Sequence, residues 1–165
     1  MPRKARIVVP GVAHHVTQRG NNQQDVFLVD DDRRAYLRLL KEQADKYELE
    51  VLGYCLMNNH VHLVVRPYEA ASLANAVGRT HWRYTQYVNA LHGRSGHLWQ
   101  SRFYSCALDE RHTAAALRRI AGNEITDIAE LLGHKKLDST RRYQNIKPQA
   151  LKDRIKPIFR DEDNG

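Results

Sequence analysis

Cysteine is scarce in this sequence, and its scarcity restricts the kind of protein that the chain encodes. Cys55 and Cys106 are the two cysteines among 165 residues, so at most one disulfide forms and no cysteine-rich metal site fits. So few thiols favour a reducing compartment, and we expect a cytoplasmic protein. No apolar run reaches about 18 residues, and Met1–Pro10 lacks the apolar centre of a signal peptide. We therefore expect no membrane-spanning segment and no membrane partner.

Acidic side chains are in the minority. The chain has 19 Asp and Glu against 26 Lys and Arg, which gives a net charge of +7 and a pI near 9.6. Such a surface attracts polyanions, nucleic acid above all. Apolar residues make up 42% of the chain, which is enough for the core of one compact domain with a small addition. The composition excludes a wholly disordered chain and a large multidomain enzyme.

The hydrophobic pattern predicts the order strand, helix, strand, strand, helix, strand. Strands are predicted at 14–19, 49–57, 60–66 and 102–108, and helices at 30–47 and 72–91. Asn58-Asn59 between the second and third strands is typical of a tight hairpin turn. This order predicts an α+β, ferredoxin-like fold: a four-stranded antiparallel sheet with two helices on one face, plus a small C-terminal helical segment. The other face of the sheet is expected to be open.

Two histidines lie two positions apart in the third predicted strand, as His60-Val61-His62. Alternate strand residues point to the same side and lie about 7 Å apart, so both imidazoles are able to reach one metal ion. Val61, Leu63 and Val65 then point the opposite way, toward the helices, which leaves the histidines on the helix-free face. Taken alone, the tripeptide more often marks partly exposed histidines without a ligand, because short motifs match by chance.

The first predicted strand carries a further adjacent pair, His14 and His15. Because side chains alternate across a strand, only one of the two shares the face of His60 and His62. The sequence leaves the choice open, since it depends on the register between the strands.

Three separated stretches resemble the REP-associated tyrosine transposases, which are single-tyrosine HUH transposases. They are Gly11–Asn21, Tyr54–Leu63 and Trp99–Tyr104, and the resemblance covers roughly residues 1–110. It implies a DNA transposase-type protein that binds single-stranded or hairpin DNA. A homodimer is one assembly to expect. It also implies that the histidine pair holds a divalent metal, Mg or Mn, against the scissile phosphate. A tyrosine on a helix would attack this phosphate, leaving a 5′-phosphotyrosine and a free 3′-hydroxyl.

The sequence departs from the resemblance at the nucleophile. Arg119 occupies the position of the family's tyrosine, while Asn123 fits the position of a third metal ligand four residues later. An arginine stays protonated and does not attack phosphorus. Tyr84, Tyr87 and Tyr104 are candidates to replace the missing nucleophile, although Tyr84 lies on the apolar stripe of its helix.

The last third of the chain resembles the end of the tyrosine recombinase (integrase) catalytic domain. The resemblance implies that Arg111 and His134 bind a phosphate and that Tyr143 is the catalytic nucleophile. That family's upstream arginine and lysine have no counterpart in residues 1–106. The predicted domains are therefore 1–110, HUH transposase-like; 111–160, a helical segment resembling the recombinase end; and 161–165, a disordered tail.

Other interpretations of the same residues stay open. Glu130–Tyr143 also fits a helix-turn-helix, and Tyr143 fits a packed position between its helices. On the second predicted helix, Trp82 is placed to stack on bases, although such a face is more often merely solvated. The basic residues expected to contact DNA are Arg79, Arg83, Lys135, Lys136, Arg141 and Arg142. The alternatives to an enzyme are a catalytically inactive transposase remnant and a helix-turn-helix regulator.

Overall fold

A computed structural model describes residues 5–121 and 144–146 of the chain. The predicted order of strands and helices is confirmed, and a short 3-10 helix at Asn21–Gln23 follows the first strand. The first long helix begins at Asp30 and the third strand begins at His60, both as predicted. The elements are β1 (His14–Arg19), α1 (Asp30–Lys46), β2 (Leu49–Leu56), β3 (His60–Pro67), α2 (Ser72–Leu91), β4 (Tyr104–Ala107), α3 (Glu110–Ala121) and β5 (Gln144–Ile146).

The strands form one antiparallel sheet in the order β4-β1-β3-β2-β5. Its first four strands have the predicted ferredoxin-like arrangement, and the α+β class is confirmed. β5 was not predicted, because Gln144–Ile146 lies in a segment expected to be helical. It extends the sheet beyond β2, with Gln144 opposite Cys55.

The main core lies between one face of the sheet and the apolar faces of α1 and α2. Aromatic rings dominate its centre: Tyr36 of α1 and Tyr84 of α2 are fully buried and meet edge to face at 5.3 Å. Their hydroxyls are satisfied, because Tyr84 donates to the backbone oxygen of Val26 at 2.6 Å and Tyr36 lies 3.0 Å from Nε2 of His81. This core fixes the two helices on one side of the sheet.

The start of α1 is held by Asp32. Its Oδ2 accepts the backbone N–H groups of Leu28 (2.9 Å) and Val29 (3.1 Å), and its Oδ1 lies 3.0 Å from Nε2 of His92. Burial would raise the pKa of Asp32, but the hydrogen bonds from His92, Leu28 and Val29 outweigh it and lower the pKa below its usual value. The contact with His92 ties the end of α2 to the beginning of α1.

The second face of the sheet is partly covered, and the expectation of an open face is wrong there. Ala114 and Leu117 of α3 pack against Ala13, Leu52 and Val64, all of them buried. Leu52 sits at a bulge in β2, where the register with β3 shifts between Val51 and Gly53. Because these apolar side chains form one patch on the strands, α3 has a place to bury its own apolar face.

Crossing a bilayer requires a helix that is both long and apolar, and no helix within the described ranges meets that requirement.

Candidate metal centre and nucleic-acid interface

His60 and His62 lie side by side on the face of the sheet opposite α1 and α2. Along β3, Val61, Leu63 and Val65 belong to the core beneath the helices, so alternation turns the two histidines to the other face. Their ring centroids are 5.0 Å apart and the rings are nearly perpendicular, at 87°. Both residues are buried, with 6% and 5% of their surface exposed. The predicted placement of the pair is confirmed.

The turn between β2 and β3 orients the first of these rings. Oδ1 of Asn59 lies 2.6 Å from Nδ1 of His60, so Nδ1–H donates and Nε2 carries the lone pair that metal binding requires. Asn58 anchors the turn, because its Oδ1 accepts from Arg33 of α1 at 2.5 Å and its backbone oxygen accepts from Val26 at 2.7 Å. The two asparagines therefore do more than form a tight turn.

β1 places a third histidine beside the pair. In the β1–β3 register Thr17 is opposite His62 and His15 is opposite Val64, so His15, and not His14, shares their face. Nε2 of His15 lies 3.2 Å from Nδ1 of His62, and the two rings stack with centroids 5.4 Å apart. Burial lowers the pKa of His15, which favours the neutral imidazole. A neutral ring at this position does not oppose a cation at the pair.

Imidazole nitrogens bind transition-metal ions more readily than Mg²⁺, which prefers oxygen ligands, so of the two predicted ions the pair fits Mn²⁺ better. Among residues 5–121 and 144–146, no three His, Cys, Asp or Glu side chains are arranged to hold a metal ion. His60 and His62 would supply two ligands of such a site, and a complete site requires more. Asn123, the predicted third ligand, lies outside the described residues.

Two further side chains on this face give it the chemistry of a phosphate-binding surface. Arg19 is opposite His60 across the β1–β3 pair, and Tyr104 of β4 is opposite Thr17, in the row that continues to His62. Arg19 is exposed, and Tyr104 has 64% of its surface exposed. Sequence reasoning missed Arg19, although the alternation along β1 from the third histidine would have marked it.

The two cysteines also lie in this region of the sheet. Cys55 is opposite His62 and Cys106 is opposite His15. Burial raises the pKa of the Cys55 thiol to about 12, so it stays protonated near neutral pH and does not offer a thiolate. The imidazoles of this face are therefore better candidates for metal ligands than the Cys55 thiol.

The predicted DNA contacts of α2 lie on the other side of the sheet. Arg79 is exposed, and Arg83 forms an ion pair with Glu42 of α1. Because α2 packs on the helix-covered face, the structure does not bring these arginines together with His60 and His62.

Arg111, predicted to bind phosphate, is exposed in the first turn of α3. The contacts of this helix with the sheet are made by Ala114 and Leu117 instead. The other predicted residues of the C-terminal third lie outside the described residues: Asn123, His134, Lys135, Lys136, Arg141, Arg142 and Tyr143.

Comparison with known proteins identifies a family and a fold. Residues 8–123 match the sequence profile of a family described as "Transposase IS200 like". No curated protein matched the sequence. A REP-associated tyrosine transposase bound to a REP hairpin is similar at 12% identity and a TM-score of 0.57, over 84% of this chain and 90% of that one. A putative transposase from Deinococcus radiodurans R1 is similar at 21% identity and a TM-score of 0.50, over 73% and 96% of the two chains.

Proposed function

The chain belongs to the IS200-like transposase family and is a DNA transposase-type protein, and on that premise we propose that it binds single-stranded or hairpin DNA. It cleaves and rejoins the bound strand through a phosphotyrosine. HUH transposases generally use a divalent metal, and we assign Mn²⁺ or Mg²⁺ to His60 and His62. One observation supports this assignment most strongly: both Nδ1 atoms of the pair are within hydrogen-bond distance of a neighbouring side chain, Asn59 or His15.

Each residue of the histidine face has a proposed role. His60 and His62 hold the ion, which when bound would polarise the oxygens of the scissile phosphate. Asn123 is the proposed third ligand. Arg19, opposite His60, donates hydrogen bonds to a phosphate oxygen of the strand and orients it.

We propose Tyr104 as the first candidate for the nucleophile, because Arg119 stands where the family has its tyrosine. Tyr104 is exposed, and only Thr17 separates it from His62 in its row of the sheet. In the attack, the phenol oxygen forms a bond to phosphorus as the bond from phosphorus to the 3′ oxygen breaks. The departing oxygen takes up the phenol's proton, which leaves a 5′-phosphotyrosine and a 3′-hydroxyl.

Tyr143 is the second candidate, and it implies a different reaction. Its resemblance to the recombinase nucleophile pairs it with Arg111 and His134 as phosphate-binding groups. Attack in that manner leaves a 3′-phosphotyrosine and a 5′-hydroxyl, so the DNA end that remains attached to the protein distinguishes the two candidates.

The C-terminal third of the chain is proposed to make further contacts with DNA. A helix-turn-helix at Glu130–Tyr143 would contact phosphates through Lys135, Lys136, Arg141 and Arg142. A homodimer is the proposed assembly. The cytoplasm is the proposed compartment, and the state of the two cysteines supports it, because both are free thiols.

The test uses a hairpin DNA with a single-stranded extension, labelled at one end or the other, incubated with Mn²⁺. A denaturing gel then detects any covalent protein–DNA adduct. We expect an adduct that disappears in His60→Ala and His62→Ala and in one of Tyr104→Phe and Tyr143→Phe. The labelled end that stays on the protein identifies the linkage, and a melting curve for each variant controls for loss of fold.

A DNA-binding protein without cleavage is the second candidate function, and Arg119 in the nucleophile position favours it. A protein of this kind binds the hairpin but forms no covalent adduct with it. This should hold with Mn²⁺ and with Mg²⁺, at every pH at which the protein stays folded. Absence of both binding and adduct would contradict both candidates.

A further inference from the structure

A two-part cavity lies on the helix side of the molecule, across the sheet from the histidines. The inner part, of about 250 Å³, lies between α2 and the segment that leads into β4. The outer part, of about 380 Å³, runs along the exposed side of α2 past Arg79 and Trp82. Ala74 and Gly78 line both parts, so the two form one continuous depression.

The inner part has aromatic walls. Trp99 and His81 stack at 4.5 Å, and Phe103 meets His81 edge to face at 6.2 Å. Trp82, at the outer part, has 59% of its surface exposed. Flat aromatic rings at a solvent-accessible depression are the groups on which unpaired bases stack.

Three arginines surround the depression. The guanidinium of Arg6 lies 3.6 Å from the ring centroid of Phe103 and donates to its backbone oxygen at 3.0 Å, while Arg79 and Arg102 are exposed. In the part of the chain that the structure describes, no carboxylate lies within ion-pairing distance of any of the three. Burial, and after it the charge of Arg102, lowers the pKa of Arg6. An anion bound here would relieve this repulsion.

Gln18 adds a polar group to the inner wall. Its Nε2 donates to the backbone oxygen of Gln100 at 2.9 Å, while its buried Oε1 has no hydrogen-bond partner among the described residues. A buried carbonyl oxygen without a donor is unfavourable, and the N–H groups of a nucleobase are donors of the required kind. The inner part is slightly smaller than the roughly 300 Å³ at which pockets for drug-sized ligands begin, which suits one base.

We propose that this depression binds a nucleotide of single-stranded DNA, with the base against the aromatic walls and the adjoining phosphates on Arg79 and Arg102. A single strand fits better than a duplex, because stacked and paired bases do not present their faces to a wall. The inference rests on the proposed function only in taking DNA as the ligand. Since the depression and the histidine face lie on opposite sides of the sheet, binding here requires no metal.

Gly78 allows the shape of the site to be tested without loss of stability. It lies inside α2, where glycine is a poorer helix former than leucine. A Cβ built on Gly78 meets nothing within 4 Å. Gly78→Leu should therefore leave the helix intact or more stable while filling the space where the two parts of the cavity meet.

The experiment measures binding of a short labelled oligothymidylate by fluorescence anisotropy, in chelator and over a series of salt concentrations. Gly78→Leu is expected to weaken binding about tenfold, the amount that one lost base stack accounts for. Arg79→Gln with Arg102→Gln is expected to reduce the slope of log affinity against log salt by about 0.7 for each arginine removed. Arg38→Gln removes one charge from an exposed position of α1 away from the depression, and as the control it should change neither the affinity nor the slope by as much as one of the two arginines does.

The outcomes separate this site from the transposase proposal. If Gly78→Leu binds the oligonucleotide as the unchanged protein does, and the double arginine variant matches Arg38→Gln, the site is refuted, whatever the adduct assay shows. If oligothymidylate binding falls as expected while no adduct forms on the hairpin, the site stands and the cleavage proposal fails. A protein that binds neither DNA in chelator or in Mn²⁺ would overturn both.

Discussion

Neighbouring residues of β3 serve two different purposes, as a comparison of Leu63 with His62 makes plain. Leu63 is fully buried in the core beneath α1 and α2, and His62 is 5% exposed on the other face, in contact with His15. Both are buried, so burial alone does not distinguish them. The difference lies in their surroundings. Leu63 makes apolar contacts that stabilise the fold, whereas the ring nitrogen of His62 contacts the ring of His15 in the candidate metal site.

The largest effect on stability is expected on the helix side. Leu63→Ala should lower the free energy of unfolding by about 3 kcal/mol, because it removes a fully buried side chain and leaves a cavity. Urea denaturation followed by circular dichroism measures the change. A loss below about 1 kcal/mol would mean that the core can close around the gap, and the two faces would then differ less than we infer.

His62→Ala should have its main effect on metal binding. With one of two imidazole ligands removed, the affinity for Mn²⁺ measured by calorimetry should fall by at least about 100-fold, while stability changes less than in Leu63→Ala. His97→Ala, at an exposed histidine, is the matched control and should bind as the unchanged protein does. Equal affinities in His62→Ala and His97→Ala would refute the metal assignment.

A pH titration sharpens the contrast, because His81 lies in the helix-side core. Burial lowers the pKa of His81 from 6.5 to about 3. Between these two pH values His81 is protonated in the unfolded chain and neutral in the folded chain. The contribution of neutral His81 to the free energy of unfolding is fully present above pH 6.5. It is lost as the pH falls toward 3, by about 1.4 kcal/mol per pH unit. Unfolding free energies measured between these limits should fall less steeply for His81→Gln. Parallel pH curves for the two proteins would contradict this account.

The smallest effect is expected at the surface. Arg34 and Asp31 form an exposed ion pair at 2.8 Å on α1. Arg34→Ala should change the unfolding free energy by less than about 0.5 kcal/mol, since solvent screens such pairs. A larger loss, measured in the same urea assay, would show that contacts outside both faces of the sheet also contribute to the free energy of unfolding.

The four strands and two helices of the transposase fold were predictable because each has a local signal. The apolar stripe along α1 and the alternation along β3 follow from the geometry of single elements. The expectation of an open second face failed because α3 packs on a patch that includes Leu52, and the bulge at Leu52 depends on how β2 pairs with β3. β5 was missed for a similar reason, since a three-residue strand has too short a pattern to recognise.

The candidate site shows the same division. The shared face of His60 and His62 followed from their spacing alone, whereas the choice of His15 over His14 required the register between β1 and β3. Tyr104 was one of several candidate tyrosines by sequence. Tyr104 lies in the same row of the sheet as His62 because β4 pairs with β1, and the sequence does not reveal that pairing.

The amino-acid sequence by itself determined the order of elements, the family motifs and the orientation of the histidine pair relative to the strand's apolar residues. These depend on repeats of two and of about 3.6 residues, which are local properties of the chain. The tertiary structure decided which histidine joins the pair, where α3 covers the sheet, and that Arg6, Arg79 and Arg102 surround one depression. Residues far apart in sequence meet only when strands pair and helices pack, and no local pattern encodes those meetings.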